Sequence, residues 1–287
     1  MIIYNPKDWL KLIFQFHKSD TIRRLFPVLL FIGVYAWIVV YAELHFLNIK
    51  SKNPTVMHSI LGFVLSMLLV FRTNSAYDRW WEGRKLWGSF VNNTRNLSLK
   101  LASLVKDQHE KHEFRLLITN YVYATKNHLR EKFVPNEFEV TSDLSHAIIT
   151  DAVHKPNSIA KVIYEKIFKM NSEGKISDMQ LNMLNEEIKS LTDNCGACER
   201  IRSTPIPYSY NIFLKKIIFI YIISLPVFFG VEFGYSTVPI TVIVLYVFAS
   251  IELIAEEIED PFGEDDNDLP LDNICGIIKA NLHEIMK

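Results

Sequence analysis

The chain has 287 residues, of which 49% are hydrophobic and 22% charged, with a formal net charge of -1 and a mean hydropathy of +0.11. These averages hide a segregation, because the charges are nearly absent from four apolar stretches and crowd into the segments between them. That pattern points to a membrane protein and not a soluble enzyme, and no nucleic-acid partner is expected.

In chain order, an amphipathic lead comes first, with Trp9, Leu10, Leu12, Ile13 and Phe14 beside Lys7, Lys11 and Lys18. The first apolar stretch, 25–42, has no ionisable side chain except two tyrosines, neutral at pH 7. No small-residue cleavage pattern follows it, so it is expected to stay in the mature protein rather than serve as a signal peptide. The second stretch, 53–71, carries only His58 and runs directly into the polar-aromatic string FRTNSAYDRWWEGRKLWG. One helix should therefore be part lipid-embedded and part aqueous. The third and fourth stretches, 217–231 and 233–251, carry no charge and are joined by a short link around Glu232, which predicts a tight hairpin. Each stretch approaches the ~20 residues that cross a ~30 Å hydrocarbon core. Buried core helices of a soluble protein are the alternative, but four such spans are hard to cover with protein in a chain of this size.

Basic residues orient the spans. Lys18, Arg23 and Arg24 precede the first, Arg72, Arg79, Arg84 and Lys85 follow the second, and Lys215 and Lys216 precede the third. Both termini and the long middle segment are thus expected in the cytoplasm, against the lesser counterweight of Lys50 and Lys52 outside. In the middle segment, apolar residues recur at helical spacing, as in Leu97, Leu101 and Leu104 or Ile159, Val162, Ile163 and Ile167. Breakers at Pro135, Pro156, Gly174 and the Pro205 to Pro207 pair divide it into several helices. The expected organisation is an N-terminal part, 1–82, with a pore-lining helix over about 54–82, a cytosolic helical region at 83–210, two further spans at 211–260, and an acidic turn with a C-terminal helix at 261–287.

No catalytic constellation emerges. Cys195 and Cys198 have the spacing of half a zinc site, but the only other cysteine is Cys275, so a structural role is the better reading. The nine histidines form no His-Glu-x-x-His pattern, and neither a glycine-rich phosphate loop nor a Gly-x-Ser-x-Gly elbow occurs.

The second span instead offers a candidate pore face. Phe63, Met67 and Phe71 recur every four residues and form a nearly straight apolar ridge. Repeated around a symmetry axis, the ridge would make stacked hydrophobic rings that gate by dewetting, with aromatic edges offering partial positive charge to an anion. The alternative is a face against lipid or another helix. Ser59, Gly62 and Ser66 are small residues suited to close helix packing.

Four local patterns resemble the bestrophin family of ion channels, closest to its bacterial branch: SILGFVLSMLLVFRTNSAYDRWWEGRKLWG at 59–88, GACERIRSTPIPYSY at 196–210, EEIEDPFGEDDNDLPL at 256–271, and the apolar hairpin between the last two. The resemblance implies an all-α membrane protein, a homopentamer with four transmembrane helices per subunit, one central pore and a cytosolic helical bundle. It places Phe63, Met67 and Phe71 at the pore neck and Met179 at a second, cytosolic aperture. It implies passive conduction of small inorganic ions in the bacterial inner membrane, chloride and other anions first, with a monovalent-cation channel of the same fold or a non-channel membrane interaction protein as alternatives. The partners are then further copies of the chain, membrane lipid and the permeant ions.

The acidic turn is the other candidate site. Glu256, Glu257, Glu259 and Asp260 crowd a helix C-terminus, which already carries partial negative charge, and Glu264, Asp265, Asp266 and Asp268 follow. Something cationic must compensate them, either Arg and Lys side chains or a bound metal. Animal bestrophins hold calcium in a turn of this kind, and the resemblance puts Asp265 and Asp268 at its side-chain ligand positions, although the EF-hand template fails for want of a glycine at its sixth position. No other cofactor is expected.

Overall fold

The computed structural model describes residues 21–47, 54–141, 144 and 150–287. The amphipathic lead and the loop lysines Lys50 and Lys52 lie outside the described residues. Among the described residues every regular element is a helix. The chain divides into two compact units, the first holding the residues up to Trp80 with Pro205–Asp260 and Asp265–Asn267, the second holding Trp81–Thr204, Pro261–Glu264 and Asp268–Lys287.

The first unit opens with α1 (Thr21–Ala42), followed by a five-residue π turn, Glu43–Leu47. Helix α2 (Pro54–Leu104) begins with a proline, whose missing N–H costs nothing in a first turn. It runs for 51 residues, and at ~1.5 Å per residue that is more than twice a hydrocarbon core. The segment expected over about 54–82 is therefore only the beginning of a helix that Gly83 and Gly88 do not stop. Helices α6 (Tyr208–Phe233) and α7 (Thr237–Glu259) are joined by a short turn, Gly234–Ser236, whose glycine takes a φ of +55° that favours glycine. Lys215, near the start of α6, lies 3.7 Å from Glu252 and 3.1 Å from Glu256 near the end of α7, so the pair is an antiparallel hairpin. Ile32, Leu65, Leu69, Leu214, Ile218, Ile222, Leu225 and Leu245 form the shared core of these helices. Among the described residues, three segments are long and apolar enough to cross a membrane: Thr21–Phe46, Thr55–Leu104 and Tyr208–Glu259, the last being the hairpin.

The second unit contains the remainder of α2 with α3 (Gln108–Leu129), α4 (Lys155–Ser172), α5 (Asp178–Ser203) and α8 (Leu271–Ile285). Local chemistry sets the helix starts. Asp107 accepts from the backbone of His109 and Glu110 at the head of α3, and Ser177 and Gln180 form a reciprocal capping box at the head of α5. Pro156 sits in the first turn of α4, so it opens that helix. Trp87, Phe90, Leu97, Phe114, Leu117 and Ile163 are fully buried here, which explains why α2 continues: its later turns supply this core. The segment expected as a separate C-terminal piece joins this unit through Pro261–Glu264 and Asp268–Lys287.

Candidate pore face and charged corner

Helix α2 has two opposed faces in the first unit. His58, Leu65, Leu69, Arg72 and Ala76 are buried, with Gly62 half-buried among them. At about 100° per residue these positions share one narrow stripe, and Phe63, Met67 and Phe71 fall on average about 180° away from it. The three ridge side chains are 66%, 45% and 58% exposed. Of the small residues, Gly62 is the one that admits a neighbour, since a Cβ there would come within 2.9 Å of the Tyr221 hydroxyl. Ser59 and Ser66 are exposed and donate to the Thr55 and Gly62 carbonyls of their own helix. On the buried face, the His58 Nε2 lies 2.9 Å from the Ser224 hydroxyl, with Tyr221, Phe228 and Phe229 around the ring. Met179 stands exposed in the first turn of α5.

Further along the buried face, Arg72 donates from its guanidinium to Glu259 Oε2 at 2.6 Å. The other Glu259 carboxylate oxygen accepts the Ile206 N–H at 2.7 Å, and the Glu259 carbonyl accepts from Arg79 Nε at 2.9 Å. Trp80 donates its indole N–H to the Asn267 carbonyl, and Asn267 donates to Glu257, which also receives Arg24. The polar-aromatic string thus supplies the cations and donors that the crowded C-terminus of α7 needs. Arg24 also lies 3.6 Å from Asp265.

In the second unit the turn is anchored by Phe262, fully buried against Gly83, where a Cβ would come within 3.1 Å of the ring. Arg130 donates to the Phe262 carbonyl, and Lys132 lies 2.8 Å from Glu264. Asp272 receives Lys126 and Arg130, each at 2.8 Å. Burial opposes its ionisation, but these two cations hold its carboxyl below the usual carboxylate range. Asp268 is buried.

Of the two compensations open to the acidic turn, protein cations are on hand: Arg72, Arg24 and Lys132 meet Glu259, Glu257 and Glu264. Among the described residues, the one group of three or more metal-ligating side chains that converges is His128, His154 and Glu199, in the second unit. Sequence reading missed it because its members, in α3, at the cap of α4 and in α5, show no short spacing. The three cysteines are free and buried, and burial, reinforced by Glu199, pushes the Cys195 thiol up to about 12, which suits packing rather than reactivity.

Residues 1–284 match the family model described as bacterial/fungal bestrophin protein. The chain belongs to the bestrophin family. It is 35% identical to a relative from Nostoc, named voltage-dependent anion channel-forming protein alr2987, over 97% of this chain and 92% of the relative. It is 30% identical to the voltage-dependent anion channel-forming protein YneE of Escherichia coli K12, over 98% of this chain and 93% of that one. Its fold matches the crystal structure of a mutant bacterial bestrophin homolog from Klebsiella pneumoniae with a TM-score of 0.84 at 25% identity, covering 92% of this chain and 99% of that one. As a bestrophin it is a membrane protein of a channel family and not an enzyme.

Proposed function

We propose that the chain assembles as a homopentamer around one central pore and passively conducts anions, chloride foremost, across the bacterial inner membrane. The observation that carries this reading is the exposed apolar ridge of Phe63, Met67 and Phe71, opposite the face that α2 uses for packing within its own unit. A single subunit supplies one ridge, so a closed ring needs cyclic repetition. Five copies would stack three apolar rings into a neck that dewets when narrow. With no charged side chain on the ridge, anion preference comes from aromatic edges and from fields near the mouths. The names of the Nostoc and Escherichia coli relatives support the anion assignment.

In this reading α1, the first part of α2, α6 and α7 are the four spans, bounded by lipid, with both termini in the cytoplasm and Met179 forming a second aperture there. Purified protein should measure as five copies in detergent and give single-channel currents in planar bilayers. Replacing Phe63, Met67 and Phe71 together with alanine should preserve assembly and raise open probability several-fold, since dewetting scales with the apolar constriction. A triple variant that misassembles, or a wild type silent in bilayers, would make the ridge a packing face. A reversal potential following sodium or potassium would move the assignment to the cation channel of the same fold. Calcium at Asp265 and Asp268 belongs to the reading. Micromolar calcium should raise the melting temperature, and Asp265→Asn with Asp268→Asn should abolish the rise; equal melting in calcium and chelator removes calcium from the reading.

A further inference from the structure

We propose that His128, His154 and Glu199 form a zinc site in the second unit that staples three helices together. His128 comes from the last turn of α3, His154 is the residue that caps α4, and Glu199 lies on α5. Both imidazoles aim Nε2 at the same oxygen, Glu199 Oε1, at 2.9 Å from His128 and 2.7 Å from His154, and the two rings lie 4.5 Å apart. All three ligand atoms fall within 4.8 Å of one another. Four-coordinate zinc at ~2.0–2.1 Å from nitrogen and oxygen would set each imidazole nitrogen about 3.3 Å from the carboxylate oxygen, a small outward movement from the observed 2.9 and 2.7 Å.

The donor set selects the metal class. Two imidazole nitrogens with one carboxylate oxygen suit zinc and leave a fourth position for water, whereas calcium and magnesium require mainly oxygen donors. The side chains are half-buried in a cleft of about 480 Å³ that also includes Arg202 and Glu131, so an ion can enter from solvent. Arg202 is already engaged, donating to the His128 carbonyl at 3.0 Å and pairing with Glu131. The buried Cys195 donates its thiol to the same oxygen, Glu199 Oε1, from 3.7 Å.

Loading has one identifiable consequence. His154 Nδ1 accepts the Asn157 backbone N–H at 3.1 Å, so without metal the ring proton sits on Nε2 and faces Glu199. Zinc at Nε2 moves that proton to Nδ1, opposite the Asn157 N–H, and the cap bond is given up. Metal binding is therefore coupled to the first turn of α4. The coupling also supplies a variant that separates the metal from the fold. His154→Asn removes the ligand and keeps a side-chain oxygen that caps a helix well.

The test uses the full-length protein in detergent, stripped with chelator and titrated with zinc sulfate by calorimetry and by melting. The expected result is one zinc per subunit with a dissociation constant in the micromolar range or tighter, a rise in melting temperature, and no comparable effect of magnesium. His154→Asn should melt within a few degrees of the metal-free wild type and bind zinc at least about tenfold more weakly, as should His128→Gln and Glu199→Gln. Absence of zinc binding by the wild type, or binding that none of the three substitutions weakens, overturns the proposal. Neither result bears on the pore ridge, which contributes no residue to this cluster.

Discussion

The two units of this chain are built for opposite solvents. In the first, Phe26, Phe31, Trp37, Ile60 and Ile243 stand exposed on the outside, while Glu43, His58, Arg72, Thr241 and Glu259 are buried inside. In the second the order reverses: Trp87, Phe90, Phe114 and Leu117 are buried, and Lys161, Glu165, Lys175 and Glu173 remain at the surface in ion pairs. Apolar surface has no drive to hide from lipid, so the first unit is held by close packing and by polar pairs that have nowhere else to go. The second is held by the removal of apolar area from water. A single helix, α2, serves both, changing units between Trp80 and Trp81.

The sharpest way to break the comparison is to remove one half of the buried pair in the first unit. Arg72→Ala leaves the Glu259 carboxylate, 8% exposed, without its cation and should cost about 3–5 kcal/mol, read as a fall in the melting temperature of the detergent-solubilised protein. Replacing both Arg72 and Glu259 with methionine should recover much of that loss, because no uncompensated charge then remains. An Arg72→Ala protein as stable as wild type would show that polar pairing does not hold this unit.

Phenylalanines in the two units supply a second contrast. Phe114→Ala empties a fully buried site and should cost about 3–5 kcal/mol, whereas Phe31→Ala, two-thirds exposed, should stay within about 0.5 kcal/mol in detergent. Comparable losses at both positions would mean that the outside of the first unit is covered by protein rather than lipid, as it would be in part at a subunit interface.

The smallest effect concerns acid. Asp272 is held below its ordinary value by Lys126 and Arg130, so the folded state binds fewer protons than the unfolded one. Its contribution is complete above the unfolded aspartate value of ~3.9 and is lost as pH falls through the lower folded value. The difference in melting between Asp272→Asn and wild type should accordingly be full at pH 6 and shrink progressively as pH falls below about 4. A constant difference across that range would assign the effect to shape rather than charge.

Much of the architecture was legible in the sequence because it follows from local pattern. The apolar stretches announced the membrane helices, Glu232 and Gly234 the hairpin link, and the four-residue spacing of Phe63, Met67 and Phe71 a single ridge. The proper length of α2 was not legible. Whether a helix continues past Gly83 and Gly88 depends on whether Trp87, Phe90, Leu97 and Leu101 find a core, and partners such as Tyr121 of α3, which meets Phe90, are encoded further along the chain.

Charge shows the same division. Composition alone determined that the crowded carboxylates of 256–268 need cations, since like charges at a helix C-terminus repel one another and the helix dipole. Which cations answer them was decided only by the fold: Arg72 and Glu259 are 187 positions apart, and Arg24 and Glu257 are 233 apart. The convergence of His128, His154 and Glu199 is of the same kind. Periodicity and composition are properties of neighbouring residues and can be read along the chain, whereas a contact between distant helices exists only after their apolar faces have packed and fixed where each polar group points.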